Sequence, residues 1–220
     1  MAGQSRRRFI GGILSAFGGL TLLMEPMVSY WSAAWGKLTK KVLPRETTAA
    51  SLINENPANV DARNLELTPL KDFATMGLSD HPVDLNHWTI KVDGLVKTPL
   101  RLTYGQVRAL PSLERKVLMI CPGVFVNQGL WKGISIGTLL QKAKAKPGVT
   151  HVSINGPEGP YTKTERFPLK DILSDKVFLA YQVNGVDLPQ KHGFPLRLVA
   201  EDFFGADWVK YVDTIKVEKV

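Results

Sequence analysis

The sequence predicts an α+β fold, a mixed β-sheet accompanied by short helices, and three observations lead there. Short apolar runs of strand character recur from about His87 onward. Turn signals such as Asp93-Gly94, Cys121-Pro122-Gly123 and Asn184-Gly185 close them. The helical stretches mixed among them are short, which gives an α+β fold dominated by a mixed sheet.

Taken in order, Trp88, Ile90 and Val92 alternate with polar residues ahead of Asp93-Gly94, a strand followed by a tight turn. Leu100 and Leu102 lead to Thr103, a candidate cap for a short helix ending near Pro111. Val117 to Ile120 is a continuous apolar run of the buried-strand kind, and Cys121-Pro122-Gly123 stops it, so Cys121 belongs at a strand mouth. Ser135 can cap a helix whose Ile136, Leu139 and Leu140 share one face, with Lys142, Lys144 and Lys146 near the end that favours cations. Strands are expected again at His151 to Asn155 and Val177 to Val183. Asn184-Gly185 is a strong hairpin signal, since both central positions of that turn need positive φ. Pro195 to Ala200 and Thr214 to Val220 complete the strands. Residues 37–86 are mixed and polar, with Pro44, Pro57 and Pro69 interrupting any period, and read as a lead-in that wraps a domain over 87–220.

With 220 residues, 44% of them apolar, the chain can bury one sizeable core. The net charge of +8 would suit nucleic acid if it covered the fold, but it does not. Arg6, Arg7, Arg8, Lys37, Lys40, Lys41 and Arg45 against Glu25 alone put +6 in residues 1–45 and leave +2 for the rest, so no nucleic-acid partner is expected. The single cysteine excludes an intramolecular disulfide framework and is either a small core hydrophobe or a thiol with chemical use.

Ser5-Arg6-Arg7-Arg8-Phe9-Ile10 resembles the twin-arginine export signal, and the uncharged stretch from Phe9 to Met24 supplies its apolar middle. Residues 1–36 therefore read as a twin-arginine signal or a membrane anchor. Ser32-Ala33-Ala34 suits cleavage, whereas Tyr30-Trp31 and the following lysines suit an interface anchor. This route carries folded, cofactor-loaded proteins, so the expected location is the periplasm or the outer face of the cytoplasmic membrane.

Leu188-Pro189, then His192-Gly193-Phe194-Pro195-Leu196-Arg197, then Gly205-Ala206-Asp207-Trp208-Val209-Lys210 resemble, in order and spacing, the signature of the sulfite-oxidase family of molybdopterin enzymes. Cys121, Trp131-Lys132-Gly133 and Pro160-Tyr161 join the pattern, which runs from about Trp88 to the C-terminus, roughly 60% of the chain. The resemblance implies Mo-molybdopterin as cofactor in a sulfite-oxidase-type domain. It implies Cys121 as the one protein sulfur on the metal, since a soft thiolate matches the dithiolene environment. Arg197 and Lys210 would hold the pterin's phosphate, one as a planar fork and the other as a point charge. His192 and the main chain of Trp208 and Val209 would bind the pterin end, Gly193 would permit close backbone approach, and Asn155 with Gly156 would form pocket wall. Tyr161 corresponds to a tyrosine near the metal that can pass a proton.

The pattern departs from the sulfite-oxidising members at two anion-binding positions. Their Phe-x-Arg-Asn-His-type segment is represented by Leu67 to Thr75, which has no arginine, and their Cys-x-Gly-Asn-Arg by Cys121-Pro122-Gly123-Val124-Phe125. A dianion in a partly dry pocket without matched cations carries a large desolvation cost. The size and layout instead resemble the bacterial single-domain branch that reduces S-oxides such as protein-bound methionine sulfoxide, with electrons from a separate partner, a membrane haem protein. That branch's Asn and Tyr-Glu pterin positions are replaced around Lys71 to Thr75. The expectation is thus an exported oxidoreductase performing two-electron oxo transfer on an S-oxide or similar small oxo compound. The alternatives are a sulfite or oxyanion dehydrogenase of the same family, a non-catalytic exported binding module, and a metal-free thiol redox protein.

Overall fold

The polar lead-in forms little regular structure of its own. Two short strands, Lys41–Val42 (β1) and Val60–Asp61 (β2), pair in parallel, and 3-10 turns follow Thr48, Asn56 and Pro69. Several of its apolar residues are nonetheless buried. Leu43, Leu52, Val60 and Leu65 pack on Leu118, Ile120 and Val126, a small second core against one face of the sheet described next. The computed structural model describes residues 39–159 and 162–220, so the export segment and Tyr161 lie outside the described residues. The unit considered from here is Lys40–Val220.

Two five-stranded sheets follow. Thr89–Gly94 (β3) runs antiparallel to Leu100–Thr103 (β4), and Thr103 caps the helix Tyr104–Arg108 (α1) through a reciprocal box with Gln106. Ser112–Cys121 (β5) turns tightly into Phe125–Ser135 (β6), and Ser135 caps Ile136–Lys142 (α2). His151–Asn155 (β7) pairs with Thr164–Pro168 (β8), ahead of the helix Leu169–Leu173 (α3). Val177–Val183 (β9) turns through Asn184 and Gly185, at φ 51° and 81°, into Val186–Asp187 (β10). Arg197–Ala200 (β11) and Thr214–Glu218 (β12) complete the set.

The first sheet has the order β10-β9-β6-β5, with β11 also on β9, and is antiparallel throughout. The second has the order β4-β3-β12-β7-β8, in which β12 is parallel to β3 and antiparallel to β7. The α+β expectation of mixed sheet and short helices therefore holds. The main core joins Trp131, Ile134, Phe178 and Leu179 of the first sheet to Ile90, Val92, Ile154 and Ile215 of the second. Each such side chain contributes about 1.5–3 kcal/mol by leaving water.

Besides the two-residue β1 and β2, two strands were not expected from the sequence: β6, whose apolar residues are interrupted by Asn127, Gln128, Gly129 and Gly133, and the charged β8. In β6 the polar side chains are buried and occupied by the lead-in: Asn127 spans the backbone N–H and C=O of Ala74 at 3.2 and 2.9 Å, and Gln128 donates to the Ala62 carbonyl at 2.9 Å. Gly133 is dictated by closeness, because a Cβ there would stand 1.8 Å from the Leu179 carbonyl oxygen. Among the described residues no helix is long and apolar enough to cross a membrane.

Candidate active site

A cavity of about 410 Å³ opens at the Cys121 end of β5. Met119 and Cys121 come from alternate positions of that strand and share a face, Phe125 comes from β6, and Arg197 from β11. Gly156 and Lys163 enter from the connection between β7 and β8. Gly205, Trp208, Lys210 and Tyr211 enter from the segment before β12, and Thr75 to Leu78 close one rim.

Cys121 ends its strand because the chain reverses at Pro122-Gly123, with Gly123 at φ 71° and the Val124 N–H bonded to the Cys121 carbonyl at 3.0 Å. The thiol is a free cysteine, buried yet on the cavity wall. Burial pushes its pKa up, and the positive charges of Arg197, Lys163 and Lys210 pull in the opposite direction. Burial thus disfavours the bare thiolate while the wall offers it cations.

Arg197 is buried and, among the described residues, has no carboxylate partner. One Nη donates to the His192 carbonyl at 3.0 Å and the other faces the Met119 sulfur at 3.7 Å, while the guanidinium lies over the rings of Trp131 and Trp208 at 5.0 and 5.3 Å. Burial lowers its pKa to about 10. Lys210 donates to the carbonyls of Leu78 at 2.6 Å and Lys191 at 3.1 Å, and burial followed by the charge of Arg197 lowers its pKa to about 8. His192 is fully buried against Phe73, and burial with the nearby Arg197, Lys191 and Lys210 lowers its pKa to about 4, so the ring is neutral at pH 7. Gly193, at φ 106°, lets this stretch touch the Lys210 backbone, where a Cβ would come within 3.1 Å of Lys210 Cα.

The fold therefore brings Cys121, Gly156, Arg197, Trp208 and Lys210 to one cavity. His192 and Val209 are buried but are not part of its lining; Val209 instead accepts the Leu198 N–H at 2.7 Å. Met119, Lys163, Gly205 and the rim Thr75 to Leu78 were not anticipated. Met119 could have been, because it stands two residues before Cys121 on a strand.

The wall suits an anionic, hydrogen-bonding cofactor that brings its own metal ligands. Arg197 Nε and Trp208 Nε1 are buried without a hydrogen-bond partner, a state that costs about 1–3 kcal/mol per group until an acceptor arrives. Among the described residues no group of three His, Cys, Asp or Glu side chains converges as a metal site, and Cys121 is the thiol available.

Comparison with known proteins gives the same answer. Residues 78–220 match the family described as oxidoreductase molybdopterin binding domain. An uncharacterized oxidoreductase of Bacillus subtilis, YuiH, is 32% identical over 150 residues, 66% of this chain and 74% of that one. The NADH nitrate reductase of Lotus japonicus is 31% identical over 160 residues, 59% of this chain and 18% of that one. The catalytic subunit of the protein-methionine-sulfoxide reductase MsrP of Gluconobacter oxydans is 29% identical over 163 residues, 66% and 51%. The chain thus spans under a fifth of the nitrate reductase and about half of the MsrP subunit. In fold it resembles the sulfane dehydrogenase SoxCD of Paracoccus pantotrophus, with a TM-score of 0.60 at 23% identity over 64% of this chain and 40% of that one. Since the matched stretch holds both sheets and the cavity wall from Leu78 to Tyr211, the chain belongs to the oxidoreductase molybdopterin-binding domains of the sulfite-oxidase type.

Proposed function

We propose that this molybdenum oxidoreductase catalyses two-electron oxo transfer in the cavity beside Cys121, reducing an S-oxide or a similar small oxo compound. The observation that carries the reading is the position of the Cys121 thiol on a wall shared with Arg197 and Lys210. When bound, molybdopterin supplies the metal at which oxygen is exchanged and a path for the electrons.

The chain's own residues do the rest. Cys121, as thiolate, would hold the metal, and the charges of Arg197, Lys163 and Lys210 favour loss of its proton. Arg197 and Lys210 would hold the phosphate end. Trp208 and Gly156 would line the pterin, and His192 and Val209, buried behind that wall, would hold the lining in place. Tyr161, outside the described residues but next to Thr162 on the cavity lining, would hydrogen-bond the substrate's oxygen and supply a proton to it.

The rim supports an uncharged substrate group. Met76, 57% exposed, and Phe125 both line the cavity and offer thioether and aromatic contact to the apolar groups flanking an uncharged S-oxide. A second reading, oxidation of an oxyanion such as sulfite, is favoured by Lys163 on the wall, although its amine lies 3.4 Å from Glu165 and is partly neutralised. The twin-arginine-like start supports export to the periplasm, with electrons from a separate partner such as a membrane haem protein.

Purified full-length protein is expected to hold about one molybdenum per chain, and Cys121→Ala to lose turnover and alter the metal's visible spectrum. With a reduced dye, methionine sulfoxide should be turned over. Turnover confined to sulfite plus an oxidant overturns the substrate assignment, and a molybdenum-free protein identifies a binding module.

A further inference from the structure

We propose that Gly205 is a positioning residue that fixes the direction in which the Cys121 sulfur points. Gly205 begins the 3-10 turn Gly205–Asp207, and its φ lies outside the left-handed region, so the backbone does not call for glycine there. Space does. A Cβ on Gly205 would stand 2.6 Å from Cys121 Sγ, 3.0 Å from Met119 Cγ and 3.3 Å from the Ile120 carbonyl oxygen. The first of these is about 1 Å inside ordinary contact.

The turn cannot simply retreat, because it is clamped at both ends. On one side Asp202, at φ 75°, pairs with Lys176 at 2.6 Å and with Lys40, and Glu201 pairs with Arg115. On the other, Trp208 is buried edge-on against Trp131 at 5.5 Å and covers Arg197. Within the turn, the Asp207 N–H bonds the Phe204 carbonyl at 2.8 Å. A methyl group at position 205 therefore presses on the group that yields most easily, and that is the thiol, which turns about a single torsion with three wells. Gly205 keeps one of those wells open.

That the sulfur so held is the metal's ligand rests on the function proposed above; that Gly205 holds it does not, and one experiment separates the two. Full-length wild type, Gly205→Ala, Cys121→Ala and the double variant are purified free of molybdenum and melted, and the loaded wild type and Gly205→Ala are compared by visible spectroscopy. Gly205→Ala should lower Tm by about 5 °C in the Cys121 background and by less than about 1 °C in the Cys121→Ala background. Folded protein recovered only in the double variant is the same result in a stronger form. Coupled melting with a shifted thiolate-to-metal band supports both assignments. Coupled melting with an unchanged band upholds Gly205 and removes Cys121 from the metal. Equal loss of stability in both backgrounds, or no loss in either, overturns the proposal, since the glycine would then be answering to backbone or to Met119.

Discussion

Arg197 carries its charge into a place where no carboxylate meets it, and that makes it informative as a residue. Two indole faces compensate part of the cost, by up to about 2 kcal/mol, yet the pKa of about 10 lies below the ordinary guanidinium range, so the unfolded chain binds this proton more readily. The penalty is present at every pH below about 10 and fades only as pH rises from there towards the ordinary guanidinium range. Arg197→Met should therefore leave the Tm of cofactor-free protein unchanged or higher while molybdenum content falls. A drop of the size that breaking a structural ion pair gives, about 3–5 kcal/mol, would contradict this account. His192 supplies the acid-side counterpart. With a folded pKa of about 4 against 6.5, it stabilises the fold fully above pH 6.5 and loses that contribution as pH falls through 4, at most about 3 kcal/mol. Melting cofactor-free wild type and His192→Gln between pH 7 and 3.5 should show a shallower decline in the variant.

Among the elements, β6 decides how the lead-in is attached. Asn127 is buried and commits both ends of its amide to Ala74, one residue before the cavity rim. Asn127→Ala removes two hydrogen bonds of about 1 kcal/mol each and should expose the 74–81 stretch to limited proteolysis while leaving far-ultraviolet circular dichroism unchanged. If cleavage there stays at the wild-type rate, the rim is held by Lys210 and its Leu78 contact instead. This strand also marks the limit of what sequence pattern conveys. Strands β3, β7, β9 and β12, the Thr103 and Ser135 caps and the Asn184-Gly185 turn follow from period and turn chemistry, which are local. The polar residues of β6 look wrong for a buried strand until their partners, more than fifty positions away, are known. The charges of β8 hide its single buried Phe167 in the same way.

At the scale of the molecule, the cavity was legible in part. Cys121, Arg197, Trp208 and Lys210 belong to contiguous motifs and are found together, whereas the Thr75 to Leu78 rim comes from a stretch with no periodicity and reaches the site only through tertiary contacts. Residues 1–36 are expected to act as an address: Arg6→Lys with Arg7→Lys should leave the protein in the cytoplasm with its molybdenum in place, and undiminished periplasmic enzyme would refute the export route. The placement of β12 has a consequence for biogenesis. Strands β3 and β7 are not paired with one another; beyond their hairpin partners β4 and β8 each pairs with β12, so the second sheet is two separate hairpins until residues 214–218 have left the ribosome. Lys210 and Tyr211 lie just upstream of that strand and Gly156 just after β7, so a nascent chain has no finished pocket to fill. Cofactor capture is thereby timed after translation of this strand and, for an exported protein, before passage across the membrane.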